Sequence, residues 1–124
     1  LKDVPLSFVA TTAVRDALER SAVDPSWVGQ VTMGNVIPTE PRDAYLSRVA
    51  AINAGVPQET PAYNVNRLCG SGLQAILLAA QALQAGDAEI AVGAGAEAMS
   101  RGPYILPALR WGARMGDAQL SDYM

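Results

Sequence analysis

Residues 64–76, NVNRLCGSGLQAI, place the only cysteine of the chain between a short apolar stretch and a helical pattern. Beyond Cys69 and the sequence Gly-Ser-Gly, apolar residues recur at intervals of three and four, which is the period of one helix face. These apolar residues are Leu73, Ile76, Leu77, Ala80 and Leu83. The stretch therefore predicts a strand, a tight turn and a helix, with the thiol beside the N-terminus of that helix.

Helices and strands are predicted to alternate on both sides of this stretch. Apolar periodicity and turn residues predict helices over 5–21, 44–55 and 71–85, and strands over 30–37, 62–66 and 88–96. In the first helix the apolar stripe is predicted to contain Phe8, Val9, Thr12, Ala13 and Leu18. Such alternation is typical of an α/β fold, in which helices pack on a largely parallel sheet.

The segments between these helices and strands contain residues that favour turns. Asp24 followed by Pro25 predicts a capped helical turn, and 39–45 is predicted as a charged loop. Beyond Gly102, prolines and glycines interrupt the chain, so 103–124 is predicted to be an excursion or linker.

The composition excludes several classes of function. Half of the 124 residues are hydrophobic and 17% are charged, which argues for a folded domain and against disorder. The net charge is -3 and there is no basic run, which argues against a nucleic-acid partner. No cluster suits a metal ion, and no apolar run approaches the roughly 20 residues that span a bilayer. With no signal peptide pattern, a cytoplasmic protein without a membrane partner is expected.

Cys69 has two interpretations. A lone cysteine in a folded domain is most often a small buried hydrophobic residue. A helix N-terminus would instead stabilise the nucleophilic thiolate. Gly70 and Gly72 would leave space for a carbonyl or thioester carbon, and the Cys69 backbone N–H would receive an oxyanion. The same glycines would equally serve close packing of the helix on the sheet, so the residues alone leave both interpretations open.

The chain contains no histidine, although most cysteine nucleophiles rely on a histidine base. The chain also begins at Leu1 rather than at a methionine. Both observations favour the interpretation that this sequence is part of a longer protein.

The motifs resemble the thiolase family over nearly the whole chain. NVNRLCGSGLQAI resembles the nucleophile segment of that family, and VTMGNV its second-strand motif. SRVAAINAGVPQETPAYNVN resembles the helix and strand that follow, and ALQAGDAEIAVGAGAEAMSRGPY the segment after the nucleophile helix. ARMGDAQLSDYM resembles the start of an inserted loop region. The resemblance implies a thiolase-like fold, with an incomplete N-terminal domain over 1–102 and the start of the loop region over 103–124.

The resemblance also implies a reaction, that of a 3-ketoacyl-CoA thiolase or acetyl-CoA acetyltransferase. Cys69 matches the nucleophile that accepts the acyl group, and its backbone N–H is implied as an oxyanion donor. Coenzyme A is implied as a substrate, with no tightly bound cofactor and no metal. The family strand that matches AYNVNR pairs with its twin across a two-fold axis, which implies a homodimer or homotetramer.

This sequence departs from the family pattern in two respects. The asparagine, histidine and second-cysteine motifs of the C-terminal half have no match, so the chain alone is predicted to be inactive. Ala98 stands where the family has serine, and one glycine of the usual pair before Glu97 is replaced. A carboxylate at Glu97, near a thiolate, is expected to hinder ionisation of the thiol rather than to assist it.

Arg110 and Arg114, near the start of the loop region, are candidates to bind the phosphates of coenzyme A, although isolated loop arginines are usually only solvated. Structural roles are expected for four further residues: packing for Tyr104 and Trp111, a salt bridge near a subunit interface for Arg48, and a hydrogen bond to the nucleophile turn for Asn66.

Two rival functions remain. A ketoacyl synthase would use the same fold on acyl-carrier substrates, but its nucleophile turn resembles ACSSS rather than the LCGSG found here. A non-catalytic acyl-CoA-binding or assembly subunit would need no catalytic base, which agrees with the absence of histidine. The presence of Cys69 in an intact CGSG turn argues against this alternative.

Overall fold

The computed structural model describes all residues from 1 to 124, and regular structure begins with helix α1, Leu6–Arg20. The helix is confirmed, but its buried face differs from the predicted stripe. The buried residues are Leu6, Ser7, Ala10, Thr11, Val14 and Leu18. Phe8 is 64% exposed, because the i, i+4 row that starts at Leu6 is the one that packs against the core. Thr11, beside that row, is buried with its hydroxyl donating to the Ser7 carbonyl at 2.7 Å.

The predicted alternation of helices and strands is confirmed. The remaining elements of the main body are β1 (Gln30–Gly34), α2 (Leu46–Asn53), β2 (Ala62–Val65), α3 (Ser71–Ala85) and β3 (Ala91–Gly95). All three strands and α2 are shorter than predicted. The stretch Pro41–Tyr45, expected as a loop, forms a 3-10 turn before α2. Helix α3 ends as predicted, at Gly86, whose φ of 80° is the left-handed conformation that glycine adopts without strain.

Asp24 caps the 3-10 turn Pro25–Trp27, as predicted, with its carboxylate accepting the Ser26 N–H at 2.8 Å. The hydroxyl and backbone N–H of Ser26 lower the pKa of Asp24 below its usual 3.8. A lowered pKa in the folded state means that this cap stabilises the fold above about pH 4. The contribution is lost as the pH falls through the lowered pKa.

The three strands form a parallel sheet in the order β2-β1-β3. Helices α1 and α2 cover one face of the sheet, and α3 covers the other. Side chains alternate along β1, so that Val31 and Met33 join the core with α1 and α2 while Gly34 faces α3. Because the strands are parallel, their C-terminal ends lie along one edge of the sheet, which is where α3 begins.

The backbone of helix α3 lies directly against the backbone of the sheet, with no side chains between them at two glycines. A Cβ added at Gly34 would lie 2.6 Å from the carbonyl carbon of Ser71, and one added at Gly93 would lie 2.7 Å from the Cα of Ile76. The face of α3 that meets the sheet is a row of small residues: Ser71, Ala75, Ala79 and Ala82. The larger apolar residues that predicted the helix are exposed in this chain: Leu73, Ile76, Leu77 and Leu83.

One stretch, Leu68–Ala85, is long and apolar enough to cross a membrane by length and composition, with 22% of it buried. The expectation that no apolar run approaches this length is therefore wrong. The helix nevertheless contacts β1 and β3 at Gly34 and Gly93, backbone to backbone. Such packing on a sheet is typical of a core helix of a folded α/β domain.

Beyond Gly102 the chain holds two short strands, β4 (Tyr104–Ile105) and β5 (Ser121–Asp122), which pair antiparallel. Apart from a 3-10 turn, Pro107–Trp111, no longer helix or strand occurs there, and the prediction of an excursion or linker stays a prediction. Tyr104 and Trp111 are 64% and 89% exposed, so the packing roles predicted for them are not found in this chain.

Candidate functional site

An open pocket of about 660 Å³ lies where the C-terminal ends of the strands meet the beginning of α3. Cys69 lines this pocket, and its thiol is free and exposed. The interpretation of Cys69 as a buried structural residue is therefore wrong for this chain. Most of the lining is apolar, with contributions from Val36, Ile37 and Ile76. Besides Cys69, Glu97 is the ionisable residue of the lining.

A tight turn connects β2 to α3 and carries Cys69. Its strained position is Leu68, whose φ of 49° is rare for a residue with a branched side chain. Asn66 holds this conformation, because its Oδ1 accepts the Leu68 N–H at 3.0 Å. The hydrogen-bonding role predicted for Asn66 is confirmed.

Ser71 stabilises the turn at Cys69, a role that the sequence pattern did not predict. Its hydroxyl accepts the Arg67 N–H at 2.8 Å and donates to the Leu68 carbonyl at 2.6 Å. The residue is 4% exposed, so both bonds form away from bulk water. One side chain thus ties together the two ends of the turn that presents Cys69. A serine in the first turn of a helix that follows a tight turn commonly hydrogen-bonds the backbone, and this pattern could have identified Ser71 from the sequence.

The backbone around Cys69 offers free hydrogen-bond donors. The N–H groups of Cys69, Gly72 and Leu73 make no hydrogen bond within the chain. The first N–H groups of a helix have no intrahelical partner, and they favour negative charge nearby. Gly70 serves as the N-cap residue without a side-chain bond, so no capping side chain occupies these donors. Unpartnered N–H groups at a helix N-terminus favour ionisation of a neighbouring thiol.

Glu97 follows β3 and faces the loop that follows β1. Its carboxylate accepts the N–H groups of Val36 and Ile37 at 2.8 and 2.9 Å and the Asn35 amide at 3.0 Å. Both carboxylate oxygens are therefore occupied by donors of the loop. This contact explains why β1 ends at Gly34 rather than at Ile37.

The roles predicted for the arginines stay predictions. Within this chain Arg48 forms no salt bridge and donates to the carbonyls of Thr60 and Gln58 at 3.0 and 2.5 Å, so a salt bridge at a subunit interface stays a prediction. It therefore holds the loop before β2. Arg110 and Arg114 are exposed and do not line the Cys69 pocket, so phosphate binding by them stays a prediction.

Comparison with known proteins identifies relatives over the whole chain. The family model described as thiolase, N-terminal domain, matches residues 1–124. Beta-ketothiolase BktB of Cupriavidus necator is 60% identical over 124 residues, which are 100% of this chain and 32% of that protein. Acetyl-CoA acetyltransferase of the same organism is 47% identical over 124 residues, 100% of this chain and 31% of that protein.

Solved structures agree with these relatives. Human mitochondrial 3-ketoacyl-CoA thiolase in complex with CoA matches with a TM-score of 0.91 and 38% identity, over 98% of this chain and 31% of that one. The acetyl-CoA acetyltransferase of Bacillus anthracis matches with a TM-score of 0.89 and the same coverage. The chain thus spans about a third of the length of the relatives that it matches.

Proposed function

We propose, from the premise that this chain belongs to the thiolase family, that it supplies the nucleophile of a CoA-dependent acyltransferase. The observation that carries the proposal is the exposed Cys69 thiol, which lines a largely apolar pocket just before the N-terminus of α3 and whose own N–H has no acceptor in the chain. The names of the relatives, beta-ketothiolase and acetyl-CoA acetyltransferase, agree with this chemistry. Coenzyme A, present in one related structure, is the proposed cosubstrate.

The first half-reaction would acylate Cys69. The thiol loses its proton, and the thiolate attacks the 3-keto carbon of a 3-ketoacyl-CoA to form a carbon–sulfur bond. The carbonyl oxygen becomes an oxyanion, for which the Cys69 N–H is the proposed donor. When the oxyanion collapses, the bond to the α-carbon breaks and its electron pair stays on that carbon. A proton then converts this group to acetyl-CoA.

The second half-reaction would return the acyl group to coenzyme A. The CoA thiol loses its proton and attacks the acyl-enzyme thioester, and the electron pair of the broken bond returns to the Cys69 sulfur. Protonation of Cys69 closes the cycle. The condensation of two acyl-CoA molecules is the same sequence in reverse. A thiol suits both directions, because the acyl-enzyme and the acyl-CoA are thioesters of similar energy.

The protons must be moved by groups outside this chain. It contains no histidine, and the Glu97 carboxylate is already bonded to three donors. We therefore propose that the activity belongs to a full-length protein in which this chain is the N-terminal segment. A second candidate, a non-catalytic acyl-CoA-binding subunit, would have no use for an exposed thiol beside free N–H donors.

Thiolysis of acetoacetyl-CoA tests this proposal. We expect the full-length protein to consume acetoacetyl-CoA only when coenzyme A is present, followed as loss of the absorbance of the magnesium-chelated enolate. Residues 1–124 alone are expected to show no turnover. Turnover by residues 1–124 would show that the base lies within this chain, and absence of turnover in the full-length protein with every acyl chain length would favour the binding subunit.

We also propose that the full-length protein is a homodimer or a dimer of dimers. Strand β2 lies at an edge of the sheet, so its outer N–H and C=O groups are unpaired in this chain. Pairing of two such strands across a two-fold axis would satisfy these groups. Light scattering of the full-length protein is expected to give the mass of a dimer or tetramer at micromolar concentration, and a stable, active monomer would contradict the proposal.

A further inference from the structure

We propose that Glu97 is a positioning residue that shapes the acyl-facing wall of the Cys69 pocket by holding Val36 and Ile37. This inference rests on the proposed function, because it assigns a role in recognising the acyl group that Cys69 would carry. Glu97 does not act on the reacting atoms in this proposal. It acts through the backbone of the loop that follows β1.

The Glu97 carboxylate forms the hydrogen bonds that this part of the loop depends on. Oε2 accepts the Val36 N–H at 2.8 Å, and Oε1 accepts the Ile37 N–H at 2.9 Å. Neither N–H has another acceptor in the chain. Consecutive N–H groups that converge on one anion form a nest, in which the negative charge fixes the backbone conformation.

The residues on either side have hydrogen-bond partners other than Glu97, although the Asn35 amide also donates to Glu97 Oε1 at 3.0 Å. Asn35 is 5% exposed, its N–H donates to the Val65 carbonyl at 3.2 Å, and its amide donates to the Ala96 carbonyl at 3.0 Å. On the far side, the Thr39 N–H donates to the buried Asp43 carboxylate at 2.7 Å. Between these residues, Val36 has one further hydrogen bond: its carbonyl accepts the Asn66 amide at 3.5 Å, which is long. The path of Val36 and Ile37 therefore depends mainly on Glu97.

The wall of the pocket formed by Val36 and Ile37 is the one whose position depends on a single side chain, Glu97. Both residues line the same pocket as Cys69, where an acyl group bound to the sulfur would lie. The rest of the lining comes from α3 and the end of β3, which are held together by the close backbone contact at Gly93. A change in the position of the loop would therefore alter the width of the pocket without moving the nucleophile.

The variant Glu97→Gln in the full-length protein tests this role. Glutamine keeps the shape of the side chain but replaces one acceptor oxygen by an amide group that cannot accept the Val36 or Ile37 N–H. We expect the KM for a 3-ketoacyl-CoA to rise about tenfold, with kcat within about threefold of the unmodified protein. The ratio of kcat/KM between a long-chain and a short-chain substrate is expected to change about fivefold or more.

Two further variants separate this role from general effects. Glu89→Gln makes the same change of charge at an exposed residue that forms no side-chain hydrogen bond, and it is expected to change none of these constants. Ile37→Ala alters the same wall directly and is expected to change the chain-length preference in the same direction. The double variant is expected to change it no further, because the two residues act through one wall.

The outcomes are distinguishable. A fall in kcat of about a hundredfold at unchanged KM would overturn the proposal, because Glu97 would then act on the reacting atoms. Unchanged constants and unchanged preference would overturn it as well. If Glu97→Gln does not fold, an unchanged preference in Ile37→Ala overturns the proposal and a changed one supports it. Failure of the proposed function would appear in the unmodified protein, as absence of thiolysis with every substrate, and would overturn both.

Discussion

Replacing Cys69 by serine in the full-length protein is expected to reduce thiolysis about a thousandfold or more. A serine hydroxyl is far less ionised than a thiol at neutral pH, and nearby N–H groups cannot compensate for that difference. Any ester that formed would also be more stable than a thioester, so transfer of the acyl group to coenzyme A would be slow. The measurement is the initial rate of acetoacetyl-CoA thiolysis at saturating coenzyme A.

The variant Cys69→Ala provides a second test, since it removes the nucleophile without offering another. Both variants are expected to fold normally, because the thiol is exposed and forms no contact on which the core depends. Circular dichroism and thermal unfolding supply that control. Thiolysis within about tenfold of the unmodified protein in either variant would refute the assignment of Cys69 as nucleophile.

The second large effect is expected at Gly34, where alanine should destabilise the fold by about 3 kcal/mol. Its Cβ would lie 2.6 Å from the carbonyl carbon and 2.7 Å from the backbone nitrogen at the Ser71–Gly72 peptide. Backbone atoms cannot rotate away as a flexible side chain can, so α3 would have to move off the sheet. Urea unfolding of the full-length protein measures the change in the free energy of unfolding.

Gly72→Ala is the matched control for this prediction. A Cβ at Gly72 would have no heavy atom within 4 Å in this chain, and the residue lies in the first turn of α3. Alanine favours a helix over glycine by about 1 kcal/mol, so the variant is expected to be as stable as the unmodified protein or slightly more so. If Gly34→Ala is also within about 1 kcal/mol of the unmodified protein, the close contact between α3 and β1 does not exist as described.

The sequence predicted the alternation of elements because each element carries a local signal. Asp24 marks a turn by capping it, and Gly86 ends α3 because it adopts a left-handed conformation. The turn at Cys69 was likewise predictable, since a strand pattern, glycines and a helical pattern follow one another within a few residues.

Contacts between distant residues set the details that the sequence did not predict. Strand β1 stops at Gly34 because Glu97, about 60 residues further along the chain, accepts the N–H groups of Val36 and Ile37. The buried face of α1 begins at Leu6 rather than at Phe8 because α2 packs on that row. The periodicity of a single helix cannot identify which of two apolar rows meets a partner.

The most direct test of the account is mass spectrometry of the full-length protein after incubation with acetyl-CoA. We expect the peptide that contains Cys69 to gain the mass of one acetyl group, and to lose it again when coenzyme A is added. The thioester should also be cleaved by hydroxylamine at neutral pH. A protein that turns over acetoacetyl-CoA without any acyl group on Cys69, or with the group on another residue, would contradict the account.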